Sequence, residues 1–421
     1  MKVFVLGAGV VGTAAAWYLA EAGHEVSVFD RQPEAGAETS FANGGQISVS
    51  HAEPWANPAA PLKVLKWLFK EDAPLLFRLR ADSRQWAWGL RFLLECLPGR
   101  TRHNIIQIVR LGLYSRESLQ ALRRDTGIQY DHLERGILHL YTNRQAYEGA
   151  LAPAELMREI GCDRQIRSVG ECIAIEPALA SAREILAGGT YTAADESGDA
   201  HLFTVRLAEL AAARGVTFNY GHRVDALEHT GGSVTRIRVT DGEGRARQTQ
   251  ADAYVVALGS YSPLLLRPLG LTIPVYPVKG YSATLPIADP SRAPTVSLTD
   301  DEYKIVISRL GERMRVAGTA ELNGYNTELN PGRCRVLVKR FDRIFPGATD
   351  TSRPLLWTGL RPATPGNVPL IGRTRYSNLF LDTGHGTLGW THACGSGRAL
   401  ADIVSGRRPE VDFEFLGTSA A

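Results

Sequence analysis

The sequence predicts an α/β protein in which a Rossmann-like, mostly parallel sheet carries helices on its faces and a second domain contributes a largely antiparallel sheet. Three observations predict it. The chain opens on an apolar strand, a glycine-rich turn, a helix and a second apolar strand. The segments Val275 to Leu285, Tyr303 to Ser308 and Met314 to Gly318 read as successive antiparallel strands. At 421 residues and 44% hydrophobic content, the chain can bury a large core and divide into two domains.

The opening unit is the most specific. Val3-Phe4-Val5-Leu6 runs into Gly7-Ala8-Gly9-Val10-Val11-Gly12, and Thr13 to Ala22 follows as a helix ended by Gly23. Gly7 lets the chain turn sharply out of a buried strand, Gly9 lets the backbone approach a pyrophosphate, and Gly12 lets helix and strand pack closely. An anion then meets unpaired N–H groups at the positive end of the helix. Glu25 to Phe29 returns as the second strand, and Asp30 falls where a carboxylate accepts from a ribose hydroxyl. The spacing is that of a dinucleotide site, with Val5, Gly7, Gly9, Val10, Val11, Gly12, Asp30 and Arg31 as its candidate contacts.

The later elements refine this. Glu38 to Ile47 is a loop of small, hydrogen-bonding residues able to wrap a ribityl chain and pyrophosphate, with Thr39, Ser40, Asn43, Gly45 and Gln46 as candidates. His201 to Arg214 reads as an amphipathic helix stopped at Gly215. Val216 to Tyr220 and Val224 to Glu228 follow as strands, Val224 being a further candidate contact, and then a hairpin turns near Thr240-Asp241-Gly242. Tyr254 to Ala257 is a buried strand running into a Gly259-Ser260 turn, which brings Ala257 and Gly259 to the same ligand.

The far end decides between nicotinamide and flavin. Asn378 to Asp382 is a further strand, followed by Thr383-Gly384-His385-Gly386-Thr387-Leu388-Gly389-Trp390 and a helix to Ser405. Too few residues follow Pro409 for a second strand-helix-strand unit, so these glycines aim donors from Gly386, Thr387, Leu388 and Gly389 at the first ligand. A flavin needs such donors, because its reduction places negative charge along N1 and C2=O, which a helix N-terminus stabilises.

Composition excludes other classes. The 47 Lys+Arg against 44 Asp+Glu leave +3, with no basic block interleaved with aromatics, so nucleic acid is not a partner. Five cysteines stand at long spacings without a C-x-x-C pair, arguing against a disulfide framework and a metal site and for a reducing compartment, the cytoplasm. The first strand is expected to start at residue 2, leaving no room for a signal peptide, and no apolar stretch reaches the about 20 residues that span a bilayer.

These motifs, with Thr39-Ser40-x-x-Asn43-x-Gly45-Gln46, Ala257 to Ser262, Pro274 to Ser282, Trp357-Thr358-Gly359-Leu360-Arg361-Pro362 and Gly384 to Thr391, occur in this order over nearly the whole chain. In this the sequence resembles the bacterial FAD-dependent D-amino acid dehydrogenases, of the small-subunit type, within the D-amino acid oxidase and glycine oxidase group of flavoproteins. The resemblance implies FAD as cofactor and oxidative deamination of D-amino acids, D-alanine among them, to 2-oxo acids and ammonia. It also implies electron transfer to a quinone or another respiratory acceptor. Alternatives stay open: glycine, sarcosine or a cyclic imino acid such as hydroxy-D-proline as substrate, or a non-catalytic FAD-binding electron-transfer subunit. Pro365-Gly366-Asn367-Val368-Pro369 departs from a turn that is usually Asp- or Ser-containing, which leaves substrate preference open.

Hydride transfer from Cα to flavin N5 requires an oriented substrate, and a planar guanidinium fixes a carboxylate in rotation as well as position. The resemblance assigns that role to Arg361 of the Gly-x-Arg-Pro motif. Tyr281 and Tyr303 are candidate partners through their phenolic hydroxyls, and His385 receives no proton-transfer role.

Residues 51 to 104 stand apart, holding Trp55, Trp67, Trp86 and Trp88. Leu62 to Lys70 reads as a short amphipathic helix with flanking lysines, fitting a peripheral contact on the cytoplasmic face of the inner membrane, a lid over the pocket, or core packing. The expected division is a flavin domain from 1–132, 195–270 and 355–421, and a substrate domain from 133–194 and 271–354, with the active site at their boundary.

Overall fold

The computed structural model describes residues 1–67 and 73–417. Its first sheet has six strands, in the order Leu370–Arg373, Leu379–Thr383, Ala253–Val256, Lys2–Leu6, Glu25–Phe29, Thr217–Asn219. All neighbours run parallel except Leu370–Arg373, which is antiparallel to Leu379–Thr383. The N-terminal strand sits at the centre and is buried on both faces, as expected of a parallel sheet covered by helices. One face is covered by helices Val10–Glu21, Ala200–Ala213 and Gly389–Val404. The first and last of these pack so closely that a Cβ at Gly397 would lie 2.8 Å from the Ala15 nitrogen. The other face is covered by an antiparallel meander, Arg223–Thr230, Ser233–Thr240 and Ala246–Thr249.

The second sheet runs Leu355–Ala363, Tyr276–Pro286, Arg313–Leu322, Ile305–Leu310, Ser297–Asp300, Ile137–Tyr141, Gly188–Thr192, Gln165–Arg167, with Leu75–Phe77 also paired to Arg313–Leu322. It is largely antiparallel; Ser297–Asp300 with Ile137–Tyr141, and Leu75–Phe77 with its partner, are parallel. Leu355–Ala363 bonds along its length to Tyr276–Thr284 and so extends this sheet, although the expected boundary at 354/355 assigns it to the flavin domain. Helix Pro331–Ile344 covers one face, burying Cys334, Leu337 and Phe341 against the sheet.

Two long helices are among the elements that the sequence patterns do not predict. Helix Pro98–Thr126, 29 residues long, starts with proline at its first position and ends at Gly127, which holds φ 65°. Helix Ser83–Glu95 is capped by Asp82, whose carboxylate accepts from the Arg84 amide. The helix expected at Leu62–Lys70 spans Ala60–Trp67; its last three expected positions lie outside the described residues. Trp88 is buried against Phe92 and Tyr276, with its indole donating to the Ala363 carbonyl, whereas Trp86 is half exposed. No helix among the described residues is long and apolar enough to cross a membrane.

Candidate functional site

Between the two sheets lies a cavity of about 960 Å³. The loop after the second strand of the first sheet stitches the sheets together around it. Thr39 donates to the Leu360 carbonyl, Ser308 donates to the Gly44 carbonyl, and Gln46 donates to the Leu298 carbonyl and bonds Thr299. Gly44 is required here, since a Cβ would sit 2.2 Å from a Val306 methyl.

One end is a cradle for an anion. Gly7 holds φ +112°, and a Cβ there would press within 2.6 Å of the Ala257 carbonyl oxygen. Gly12 allows contact with the Gly7 carbonyl, at which a Cβ would lie 2.0 Å away. Helix Val10–Glu21 has no side-chain bond from its N-cap, Gly9, and the Val10 amide reaches the Ser40 hydroxyl. Asp30 accepts from the amides of Ala8 and Gln32, which shapes the turn; burial raises its carboxyl above the ordinary value. Arg31 is held by Glu38 and lies 4.0 Å over the Tyr261 ring.

Opposite, the turn at Gly384 (φ 82°) and Gly386 (φ 56°) delivers the N-terminus of helix Gly389–Val404, which has no side-chain cap, into the same cavity. Of the expected cofactor contacts, all but Val5 and Gly12 line this cavity. Val5 is a fully buried strand residue, and Gly12 acts one layer back, in helix packing.

Arg361 also lines the cavity. Its Nη1 donates to the Thr319 carbonyl at 3.0 Å, no carboxylate among the described residues pairs with it, and burial pulls the guanidinium down to about 10. Thr319 stands in a bulge opposite Gly280, at φ 55°, a conformation costly for a β-branched residue. Gly280 leaves the space that the guanidinium fills, for a Cβ there would lie 2.1 Å from Arg361 Nη1. A half-buried cation without a carboxylate partner, facing a cleft, is a receptor for a carboxylate.

The two tyrosines fare differently. Tyr281 reaches the cavity wall, but its hydroxyl is committed to Glu321. Tyr303 is not among the lining residues: its ring lies 4.1 Å from the Arg340 guanidinium, packed beside the core of the second sheet. Tyr303 is thus not among the expected site residues that this cavity brings together.

Sequence reasoning missed a group of ionisable side chains facing the same space: His51, Glu53, Arg164, Asp301 and Lys304. Arg164 is buried among Thr190, Tyr141 and the Ser50 carbonyl, and Lys304 pairs with Asp301 at 2.7 Å. The turn carrying His51 is anchored by the buried Asp195, which accepts from the amides of Val49 and Ser50. Burial and the nearby Lys304 cation lower His51 to about 4, leaving it neutral at physiological pH. The one sequence signal was His139, a polar interruption in the otherwise apolar strand Ile137–Tyr141 that bonds Ser50. Among the described residues no group of His, Cys, Asp or Glu is arranged to hold a metal ion.

Comparison with known proteins agrees with this geometry. The family model described as FAD dependent oxidoreductase matches residues 2–403. A D-amino acid dehydrogenase of Dechloromonas aromatica is 64% identical over 416 residues, covering 99% of this chain and 100% of the relative. One of Paramagnetospirillum magneticum is 55% identical, covering 99% and 98%. Among solved structures, glycine oxidase from Geobacillus kaustophilus superposes with a TM-score of 0.73 at 22% identity, covering 98% of this chain and 96% of its own.

Proposed function

The chain belongs to the FAD-dependent oxidoreductase family, and from that premise we propose that the cavity between its sheets binds FAD along one wall and an amino acid carboxylate at Arg361. The enzyme is a D-amino acid dehydrogenase, converting D-amino acids to 2-oxo acids and ammonia. The observation that carries the site assignment is the half-buried Arg361 guanidinium, without a carboxylate partner among the described residues, in the cavity that also receives both glycine-rich turns.

The residues fit the cofactor: a side chain at Gly9 would meet only the Ser40 hydroxyl, at 3.6 Å, so the glycine there keeps the helix end open to a pyrophosphate. When bound, FAD supplies the oxidant that accepts a hydride from the amino acid Cα. The protein's share is orientation. Arg361 fixes the carboxylate through its planar fork, and the Thr319 carbonyl and Gly280 hold the guanidinium in place. The N-terminus of helix Gly389–Val404 supplies positive potential at the opposite wall. The sheets support a division into a flavin-binding and a substrate-binding domain, with Leu355–Ala363 in the sheet of the substrate-binding part.

For the acceptor, we propose a quinone taken from an anionic bilayer. The cavity wall continues through Val64, Trp86, Leu90 and Leu93 to helix Ser83–Glu95. That helix exposes Trp86, Leu90, Leu93 and Leu94 along one face, continued by Leu97, with exposed Lys63, Lys66, Arg80, Arg84 and Arg91 nearby.

Anaerobic addition of D-alanine tests the activity, with loss of the oxidised flavin absorbance expected; bleaching by sarcosine or glycine alone would overturn it. Sedimentation with phosphatidylglycerol vesicles tests the acceptor surface. Binding is expected for the natural chain and its loss for Leu90→Glu/Leu94→Glu, with turnover on a soluble acceptor retained.

A further inference from the structure

Behind the C-terminal glycine turn lies a group of ionisable side chains that the mechanism above does not use. Asp382, at the end of strand Leu379–Thr383, is fully buried, and its Oδ1 lies 3.4 Å from His385 Nε2, itself buried. Neither carboxylate oxygen nor His385 Nε2 is satisfied by a well-formed hydrogen bond among the described residues, although the Ser396 hydroxyl stands where it can donate to the carboxylate. Both residues border the cavity. The His392 ring stands 6.3 Å from that of His385, and Ser396 is the other polar side chain beside the carboxylate. No permanent cation pairs with Asp382 among the described residues, and a buried, ionised carboxylate without one is strongly disfavoured.

We propose that Asp382 is a neutral carboxylic acid whose O–H donates to His385 Nε2, a positioning pair that holds the Gly384–Leu388 turn without placing negative charge beside the helix end. The two orphaned groups are complementary as acid and neutral imidazole, and one proton satisfies both. Burial pushes in this direction on each side, raising the carboxyl well above its ordinary value and lowering the imidazole to about 3. An ionised carboxylate here would oppose the positive potential of helix Gly389–Val404, the feature that suits this wall to a flavin accumulating negative charge. The inference rests on the proposed FAD site for its purpose, but not for its chemistry.

The test is the infrared difference between the natural protein and Asp382→Asn at neutral pH, with FAD and after its removal, together with FAD affinity and midpoint potential. The carbonyl stretch of a protonated acid is expected in the natural protein and absent from Asp382→Asn. Asparagine preserves a neutral donor, so FAD affinity should stay within about twofold and the potential should not move, whereas Asp382→Ala should weaken FAD by about tenfold or more. Loss of only a carboxylate band in Asp382→Asn, or wild-type affinity in Asp382→Ala, overturns the proposal. Should Asp382→Ala fail to fold, the infrared result with Asp382→Asn decides. Failure of the natural protein to take up FAD would instead overturn the cofactor site, and the infrared band of the cofactor-free protein would still report the shared proton.

Discussion

Arg361 donates from Nη1 to the main-chain carbonyl of Thr319 across 3.0 Å, and Thr319 presents that carbonyl from a bulge at φ 55°. Backbone in this region costs a β-branched residue on the order of 1–3 kcal/mol. The strained turn thus holds the guanidinium by one donor and leaves the others for a ligand.

Arg361→Leu should lower kcat/KM for D-alanine by roughly a hundred- to a thousand-fold, with KM raised and kcat reduced, because grip and alignment are lost together. Steady-state kinetics with matched FAD content checks it. A saturating, non-oxidisable carboxylate should stabilise the natural protein by about 2.7 kcal/mol at a hundred times its Kd and leave Arg361→Leu unmoved.

Gly280→Ala tests the space beside that guanidinium. A methyl group 2.1 Å from Nη1 must displace it. A shift of this order should cost about a hundredfold in kcat/KM, while FAD content and melting temperature stay near those of the natural chain. Unchanged kinetics would mean that Arg361 works from another position.

Gly7→Ala acts at the other end. The methyl group meets the Ala257 carbonyl and the backbone stays at φ +112°, so the turn must open. The purified variant should carry little flavin and regain little on incubation with excess FAD, as read from absorbance after gel filtration.

His392 is fully buried, and burial lowers its imidazole to about 4. From its ordinary value near 6.5 down to about 4, the unfolded chain binds a proton that the folded chain excludes. Stability from this group is therefore complete above that window and is lost as pH falls through it, by roughly 3 kcal/mol. Urea unfolding across this range should show the decline, with the slope reduced by about one proton in His392→Gln.

The glycine turns and the parallel strands were readable because their constraints are local: a positive φ, a close contact, an unbroken apolar run. Arg361 was readable only through its motif, since burial of an arginine leaves no periodic trace. The group of His51, Glu53, Arg164, Asp301 and Lys304 was hidden because three distant segments assemble it, and each residue alone looks like a surface group. The placement of Tyr303 outside the cavity lining was hidden for the same reason, its ring being packed against Arg340 from a helix farther along the chain. Helix Pro98–Thr126 escaped notice because it buries polar residues such as Asn104, Gln107 and Ser115 among its apolar ones, blurring the helical period.

The central position of strand Lys2–Leu6 bears on biosynthesis. One flanking strand, Glu25–Phe29, leaves the ribosome almost at once, but the other, Ala253–Val256, follows some 250 residues later. Helix Gly389–Val404, which closes over the first helix, comes later still. The nascent amino-terminal half therefore carries an unsealed sheet edge and an uncovered alanine-rich helix for most of translation, a hazard that chaperones would have to shield.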